Sequence, residues 1–131
     1  MSHFTRIKTV MKEMDVLETA ITCVLGWDTR RDGVVRGYRG NTVKAQLVAV
    51  NPNAQYDVGF ERAEDESFSL VTDYYGLRDL PFPSEELPGK ISQAYSLEVV
   101  KQEAEQLGLS MTDIVTNEDG SLQLQLVGLR W

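Results

Sequence analysis

The chain has 131 residues, of which 42% are apolar and 25% are charged, and its formal net charge is −7. This composition is typical of one soluble globular domain, and it excludes a membrane-spanning segment because no apolar run approaches about 20 residues. The charge is uneven, since residues 1–50 carry a balance of +3 and residues 51–131 a balance of −10, and the overall acidity disfavours a nucleic-acid partner.

A strand and a helix are predicted at the start of the chain. Residues 2–11 alternate imperfectly and predict a strand. Asp15 followed by Glu18 resembles a helix start in which Asp15 caps the first turn, and apolar residues then recur at helical spacing. Gly26 can end this helix in the left-handed conformation. The predicted helix covers residues 15–25.

A series of strands follows this helix. Residues 39–41 predict a hairpin turn because Gly40 and Asn41 tolerate a positive φ angle. Strands, recognised from apolar residues that alternate with polar ones, are predicted at residues 34–38, 42–51 and 56–61. A further strand is predicted to begin at residue 68 and to end at the segment Tyr74-Tyr75-Gly76.

The last third of the chain predicts a loop, a helix and a hairpin. Three prolines and no clear period indicate a loop over residues 77–89, with one short helical turn at 84–87. Ser96 can cap a helix over residues 97–107, which Gly108 ends. Two alternating segments, residues 111–116 and 122–126, then predict a terminal hairpin around the turn 117–120.

This order of elements predicts a single α+β domain over residues 1–131. The expected architecture is a mostly antiparallel sheet with two helices on one face, either ferredoxin-like or an elaborated variant of that fold. A sheet wrapped around one helix is the alternative.

The adjacent aromatic residues Tyr74 and Tyr75 are a candidate binding feature. Neighbouring side chains of a strand point to opposite faces, so Tyr74 is assigned to the core side and Tyr75 to the other. Tyr75 then has two possible roles. Either the loop around residues 80–82 folds over it, or it is an exposed aromatic anchor of the kind enriched at binding hot spots.

Four arginines, Arg30, Arg31, Arg36 and Arg39, occur within ten residues near the predicted hairpin. They are either solvated surface or a site for carboxylates or phosphates, which guanidinium groups bind in a forked geometry. The glycines around them match no nucleotide-binding motif. The candidate binding set is therefore the group Arg36, Tyr38, Arg39, Tyr74 and Tyr75.

No catalytic or metal-binding constellation is evident. His3 and Cys23 are the only residues of their types, so neither has the partners that a metal site or an activated nucleophile needs. We interpret His3 as a polar residue of the first strand and Cys23 as a partly buried thiol in a reducing compartment. No cofactor is expected, and an enzymatic role is uncertain but disfavoured.

Several segments are similar to the conserved hypothetical chloroplast reading frame thirty-five family, a domain of unknown function found in cyanobacteria and algal plastids. The similar segments are MSHFTRIKT at residues 1–9, VRGYRG at 35–40, YDVGF at 56–60, LVTDYYG at 70–76, QAY at 93–95 and DGS at 119–121. The pair Tyr74 and Tyr75 departs from the family, which is associated with Trp at this place.

The resemblance implies little chemistry, because the family has no assigned reaction, cofactor or catalytic residue. It implies an accessory protein of the cyanobacterial cytoplasm or the plastid stroma. By family association, an ATPase of the AAA class or a small ferredoxin-like protein is a candidate partner. We therefore expect a non-enzymatic protein that acts by docking onto another protein. The alternative is a small-ligand-binding or enzymatic module that uses a pocket lined by Arg and Tyr.

Overall fold

The computed structural model describes residues 4–116 and 122–128, with side-chain surroundings for residues 4–108. Two α-helices and seven strands follow one another along this part of the chain. They are β1 (Thr5–Lys8), α1 (Met14–Leu25), β2 (Asp28–Arg36), β3 (Thr42–Val50), β4 (Val58–Arg62), β5 (Phe68–Thr72), α2 (Leu87–Gln106), β6 (Leu109–Thr116) and β7 (Leu122–Gly128).

Five strands form an antiparallel sheet in the order β1-β5-β4-β3-β2, and β6 pairs with β7 separately. Both helices contribute to one buried cluster with the sheet, the helix-side cluster, which includes Leu17, Ile21, Leu47, Phe60, Leu70, Leu87 and Ile91. The predicted α+β class, with both helices on one face, is confirmed. The sheet has five strands, in contrast to the four of a ferredoxin-like sandwich, and every pair of neighbouring strands is antiparallel. None of the helices in the described ranges is long and apolar enough to cross a membrane.

Helix α1 begins differently from the prediction and ends as predicted. Glu13 occupies the N-cap position without a side-chain cap hydrogen bond, and Asp15 lies in the first turn, where its charge favours the helix dipole. Gly26 adopts a φ of 69°, and its N–H donates to the Thr22 carbonyl at 2.9 Å. A glycine tolerates this left-handed conformation without strain, so the chain can leave the helix sharply.

The β2–β3 hairpin is longer than predicted and bends in its middle. β2 begins at Asp28, six residues before the predicted start at 34, because residues 28–33 are too polar to show a strand pattern. Its pairing with β3 is interrupted at Asp32, which has a φ of 54°. In the turn, positive φ angles occur at Arg39 and Gly40, whereas Asn41, predicted to share this role, is extended.

The outer half of this hairpin folds across the second face of the sheet. Val35 and Ala45 form a buried cluster there with Val48 of β3 and Val71 of β5. Gly59 lies beneath them, and a Cβ at Gly59 would overlap Val35, so the close approach of the hairpin to β4 requires a glycine. The tip of the hairpin thereby reaches the segments that precede β4 and follow β5.

Helix α2 begins at Leu87 rather than at residue 97, directly after a 3₁₀ turn at Ser84–Glu86. Pro88 is tolerated because the first helical turn needs no N–H donor at that position. Ser96, predicted as the cap, lies inside the helix. Gly108 follows the helix with a φ of 73°, as predicted. The hairpin β6–β7 is present, and its predicted turn, residues 117–120, lies outside the described residues.

Candidate functional site

Two short turns lie side by side and form an aromatic surface. The β2–β3 turn (Tyr38–Gly40) meets the turn after β5 (Tyr74–Gly76). The rings of Tyr38 and Tyr75 contact edge to face, with 5.4 Å between centroids and 73° between planes. The guanidinium carbon of Arg39 lies 5.2 Å from the Tyr38 centroid, and that of Arg78 lies 5.2 Å from the Tyr75 centroid. These four residues, Tyr38, Arg39, Tyr75 and Arg78, form what we call the tyrosine–arginine patch.

A buried carboxylate joins the two turns. Asp73 is 2% exposed, and its side chain accepts hydrogen bonds from the backbone N–H of Tyr38 at 3.0 Å and of Tyr75 at 3.1 Å. The backbone at Gly37, directly before Tyr38, packs closely against the ring of Phe4, since a Cβ at Gly37 would lie 2.7 Å from that ring. Asp73 binds the backbone N–H groups of Tyr38 and Tyr75 and not their side chains. The two tyrosines are therefore held in position while their rings stay available for contacts.

Tyr56 supports the patch from below. Its half-buried ring lies against Gly76, where a Cβ would overlap the ring. Burial raises the pKa of the Tyr56 phenol, and the negative charge of Asp73 raises it further. Neither Tyr56 nor Arg78 is in the sequence-predicted site. Tyr56 reaches the patch by packing against Gly76 of a separate segment, which no local signal indicates, whereas Arg78 lies three residues after Tyr75 and contacts its ring within the same segment.

Arg36 has a different environment from the rest of the predicted binding set. Its guanidinium donates to the Asp57 carboxylate through Nε at 2.7 Å and Nη2 at 2.8 Å, and Asp57 is 1% exposed. Nη2 also donates to the Asn51 carbonyl at 3.2 Å. This bonding raises the pKa of Arg36. Arg36 therefore holds the hairpin in place, and the carboxylate of Asp57 neutralises the charge of the Arg36 guanidinium.

Tyr74 and Tyr75 have opposite surroundings. Tyr74 packs against the helix-side cluster, and burial raises the pKa of its phenol. Tyr75 is 55% exposed. The loop does not cover Tyr75, because Leu80 and Phe82 pack against the helix-side cluster. The placement of Tyr74 on the core side and Tyr75 on the other side agrees with the prediction. Strand alternation does not produce this placement, because β5 ends at Thr72.

The remaining residues singled out in the sequence are not part of the tyrosine–arginine patch. Arg31 forms ion pairs with Asp15 at 2.7 Å and Glu18 at 3.2 Å, whereas Arg30 makes no hydrogen bond or ion pair with the described residues. Cys23, predicted to be partly buried, is exposed. His3 lies outside the described residues. Within the part of the chain that the structure describes, no three His, Cys, Asp or Glu side chains are grouped as a metal site would require.

Comparisons with known proteins place the chain in a family. The family model described as protein of unknown function (DUF1257) matches residues 24–125. The chain belongs to this family. It is 30% identical to the uncharacterized protein ycf35 of Guillardia theta and 28% identical to that of Pyropia yezoensis, in each case over 100% of this chain and 98% of the relative. The resemblance found in the sequence is thereby confirmed. No solved structure matches the chain. The region that matches the family model includes all four residues of the tyrosine–arginine patch.

Proposed function

We propose that this member of the family is a non-enzymatic accessory protein that docks onto an acidic surface of another protein through the tyrosine–arginine patch. The observation that carries the proposal is the exposed ring of Tyr75, which is 55% accessible and contacts Tyr38 edge to face, with an arginine beside each of the two rings. Tyrosine and arginine are the residue types enriched at binding hot spots.

The charge of the patch supports an acidic partner. Within the described residues, neither Arg39 nor Arg78 forms an ion pair with a carboxylate. The chain as a whole carries a net charge of −7, so its acidic surface repels most other acidic proteins. The cationic patch attracts an acidic partner only where the two arginines lie. Such complementarity favours specificity and the association rate more than the final affinity.

The rigidity of the patch supports docking as well. Asp73 fixes the backbone of both turns, and Tyr56 and Gly76 pack beneath them. A surface that is already ordered loses little conformational entropy on association.

The alternative of a small-ligand or enzymatic module was based on a pocket lined by both arginines and tyrosines. The concave surface that contains Arg36 includes none of the patch tyrosines among its lining residues. An exposed aromatic surface of this kind fits a protein partner better than an enclosed ligand. The family association makes an ATPase of the AAA class and a small ferredoxin-like protein the first partners to test, in the cyanobacterial cytoplasm or the plastid stroma.

The experiment is a quantitative affinity purification of the tagged protein from a photosynthetic host, comparing wild type with Tyr75→Ala and Arg39→Gln. Lys101→Gln is the control, because Lys101 is an exposed lysine of α2 away from both turns. A docking partner is lost with Tyr75→Ala and retained with Lys101→Gln. Binding of the purified partner should weaken about tenfold or more with Tyr75→Ala. A partner that binds both patch variants as well as wild type contradicts the proposal.

A further inference from the structure

A groove lies in the bend of the β2–β3 hairpin, separate from the tyrosine–arginine patch. It has a volume of about 790 Å³, within the range of small-molecule sites. Ala45, Val48 and Val50 give it apolar surface, and Arg30, Gly33 and Lys44 also line it. The pair Arg36 and Asp57 lies at the same groove and fastens the outer half of the hairpin. We call this space the hairpin groove.

Two cations of the hairpin groove have no partner among the residues that the structure describes. Arg30 and Lys44 are exposed and make no hydrogen bond, ion pair or ring contact with the described residues. The other two cations at the groove are neutralised, Arg36 by Asp57 and Arg31 by carboxylates of α1. Asp32 is the remaining acidic residue of the lining, so the unpaired charge of the groove is net positive in an acidic protein.

Gly33 leaves space in the groove that the fold itself does not require. Its φ lies outside the left-handed region, and a Cβ there would make ordinary contacts, 3.4 Å from Val48 and 3.8 Å from the Cβ of Arg30. Neither backbone conformation nor close packing therefore demands a glycine at this strand position. Its missing side chain leaves open the part of the groove between Arg30 and Val48.

We infer that the hairpin groove binds a small organic anion, with a phosphate or carboxylate group held by Arg30 and Lys44 and a compact apolar body on Val48 and Val50. Guanidinium and ammonium groups form charge-assisted hydrogen bonds with oxyanions. A hydrophobic group that covers Val48 and Val50 removes apolar surface from water, which lowers the free energy of the complex. This site does not depend on the docking function proposed above, because none of the four patch residues lines it.

The test is a titration of the ¹⁵N-labelled protein, followed by NMR chemical shifts, with phenyl phosphate, benzoate and inorganic phosphate as separate probes. Phenyl phosphate should shift residues of 28–36 and 42–50 saturably, with a dissociation constant on the order of 1 mM for so small a ligand. Inorganic phosphate, which lacks the apolar body, should bind several-fold more weakly. The comparison of phenyl phosphate with benzoate decides whether phosphate or carboxylate is preferred.

Three variants test the assigned roles. Arg30→Gln and Lys44→Gln should each weaken phenyl phosphate binding about tenfold, because each removes one charge-assisted contact. Gly33→Val should abolish binding by filling the groove while keeping a strand-compatible residue. Lys101→Gln, which removes an exposed charge of α2, should leave binding unchanged. Shifts that do not saturate, that lie outside the hairpin, or that are equal in wild type and all variants overturn the inference.

Discussion

Arg36 and Asp57 are joined by two parallel hydrogen bonds, Nε to Oδ2 at 2.7 Å and Nη2 to Oδ1 at 2.8 Å. The pair is reinforced by the backbone, because the Arg36 N–H donates to Asp57 Oδ2 at 2.9 Å and the Asp57 N–H donates to the Arg36 carbonyl at 3.1 Å. Arg36 ends β2 and Asp57 immediately precedes β4. This relationship holds the outer half of the bent hairpin on the second face of the sheet.

Loss of this pair should destabilise the protein. Asp57→Asn leaves the Arg36 guanidinium without its carboxylate and removes an acceptor from a site that is almost fully buried, so we expect a loss of about 2 kcal/mol or more in the free energy of unfolding. Chemical denaturation measures this change. Arg39→Gln is the control, and its effect should stay within about 0.5 kcal/mol because Arg39 is exposed. Equal effects of the two substitutions would show that Arg36 and Asp57 do not fasten the hairpin.

The two adjacent tyrosines should respond differently to truncation. Tyr74→Ala removes a ring packed against the helix-side cluster and should cost about 3 kcal/mol of stability. Tyr75→Ala removes an exposed ring that contacts only Tyr38 and Arg78 of the patch and should cost about 1 kcal/mol or less. Parallel denaturation curves measure the difference. Comparable losses would mean that Tyr75 is a packing residue, which would weaken its assignment as a docking anchor.

Gly76 should be sensitive to a single added methyl group. A Cβ at this position overlaps the ring of Tyr56, so Gly76→Ala should cost about 1–3 kcal/mol. Gly89→Ala is a matched control, because a Cβ there has nothing within 4 Å. Gly89 lies inside α2, where alanine is the better helix former by about 0.5–1 kcal/mol. The two substitutions should therefore change the melting temperature in opposite directions, and a neutral Gly76→Ala would contradict the packing of Tyr56 beneath the patch.

Tyr56 should make stability depend on pH in the alkaline range. Burial and the charge of Asp73 raise its pKa in the folded protein, so the unfolded chain releases this proton at lower pH than the folded chain. The stability that the protonated Tyr56 contributes is complete below the ordinary tyrosine pKa of about 10. It is lost as the pH rises through the pKa that Tyr56 has in the folded protein. Absorbance titration of tyrosinate should show that Tyr56→Phe removes a late-titrating phenol, and the variant should lose less stability above pH 10 than wild type does.

The sequence by itself determined the elements whose signals are local. Alternating apolar residues located β4 and β5, and apolar residues at helical spacing located α1 up to Gly26. The α+β class followed from their order. These predictions hold because a side chain's preference for one face of a strand or helix depends on neighbours a few residues away. The start of α2 was missed because Pro88 and Gly89 are typical of loops yet are tolerated in a first helical turn.

Only the tertiary structure decided the candidate sites. The bend at Asp32 carries the hairpin over the sheet, so that Arg36 meets a carboxylate 21 residues away and Tyr38 meets the turn held by Asp73, 35 residues away. The hairpin groove likewise exists only in the folded hairpin, whose two strands bring Arg30 and Lys44 to one lining, where neither has a partner among the described residues. Residue spacing carries no information about such contacts, because they depend on where two separate segments cross once the sheet has twisted and the hairpin has folded onto its second face.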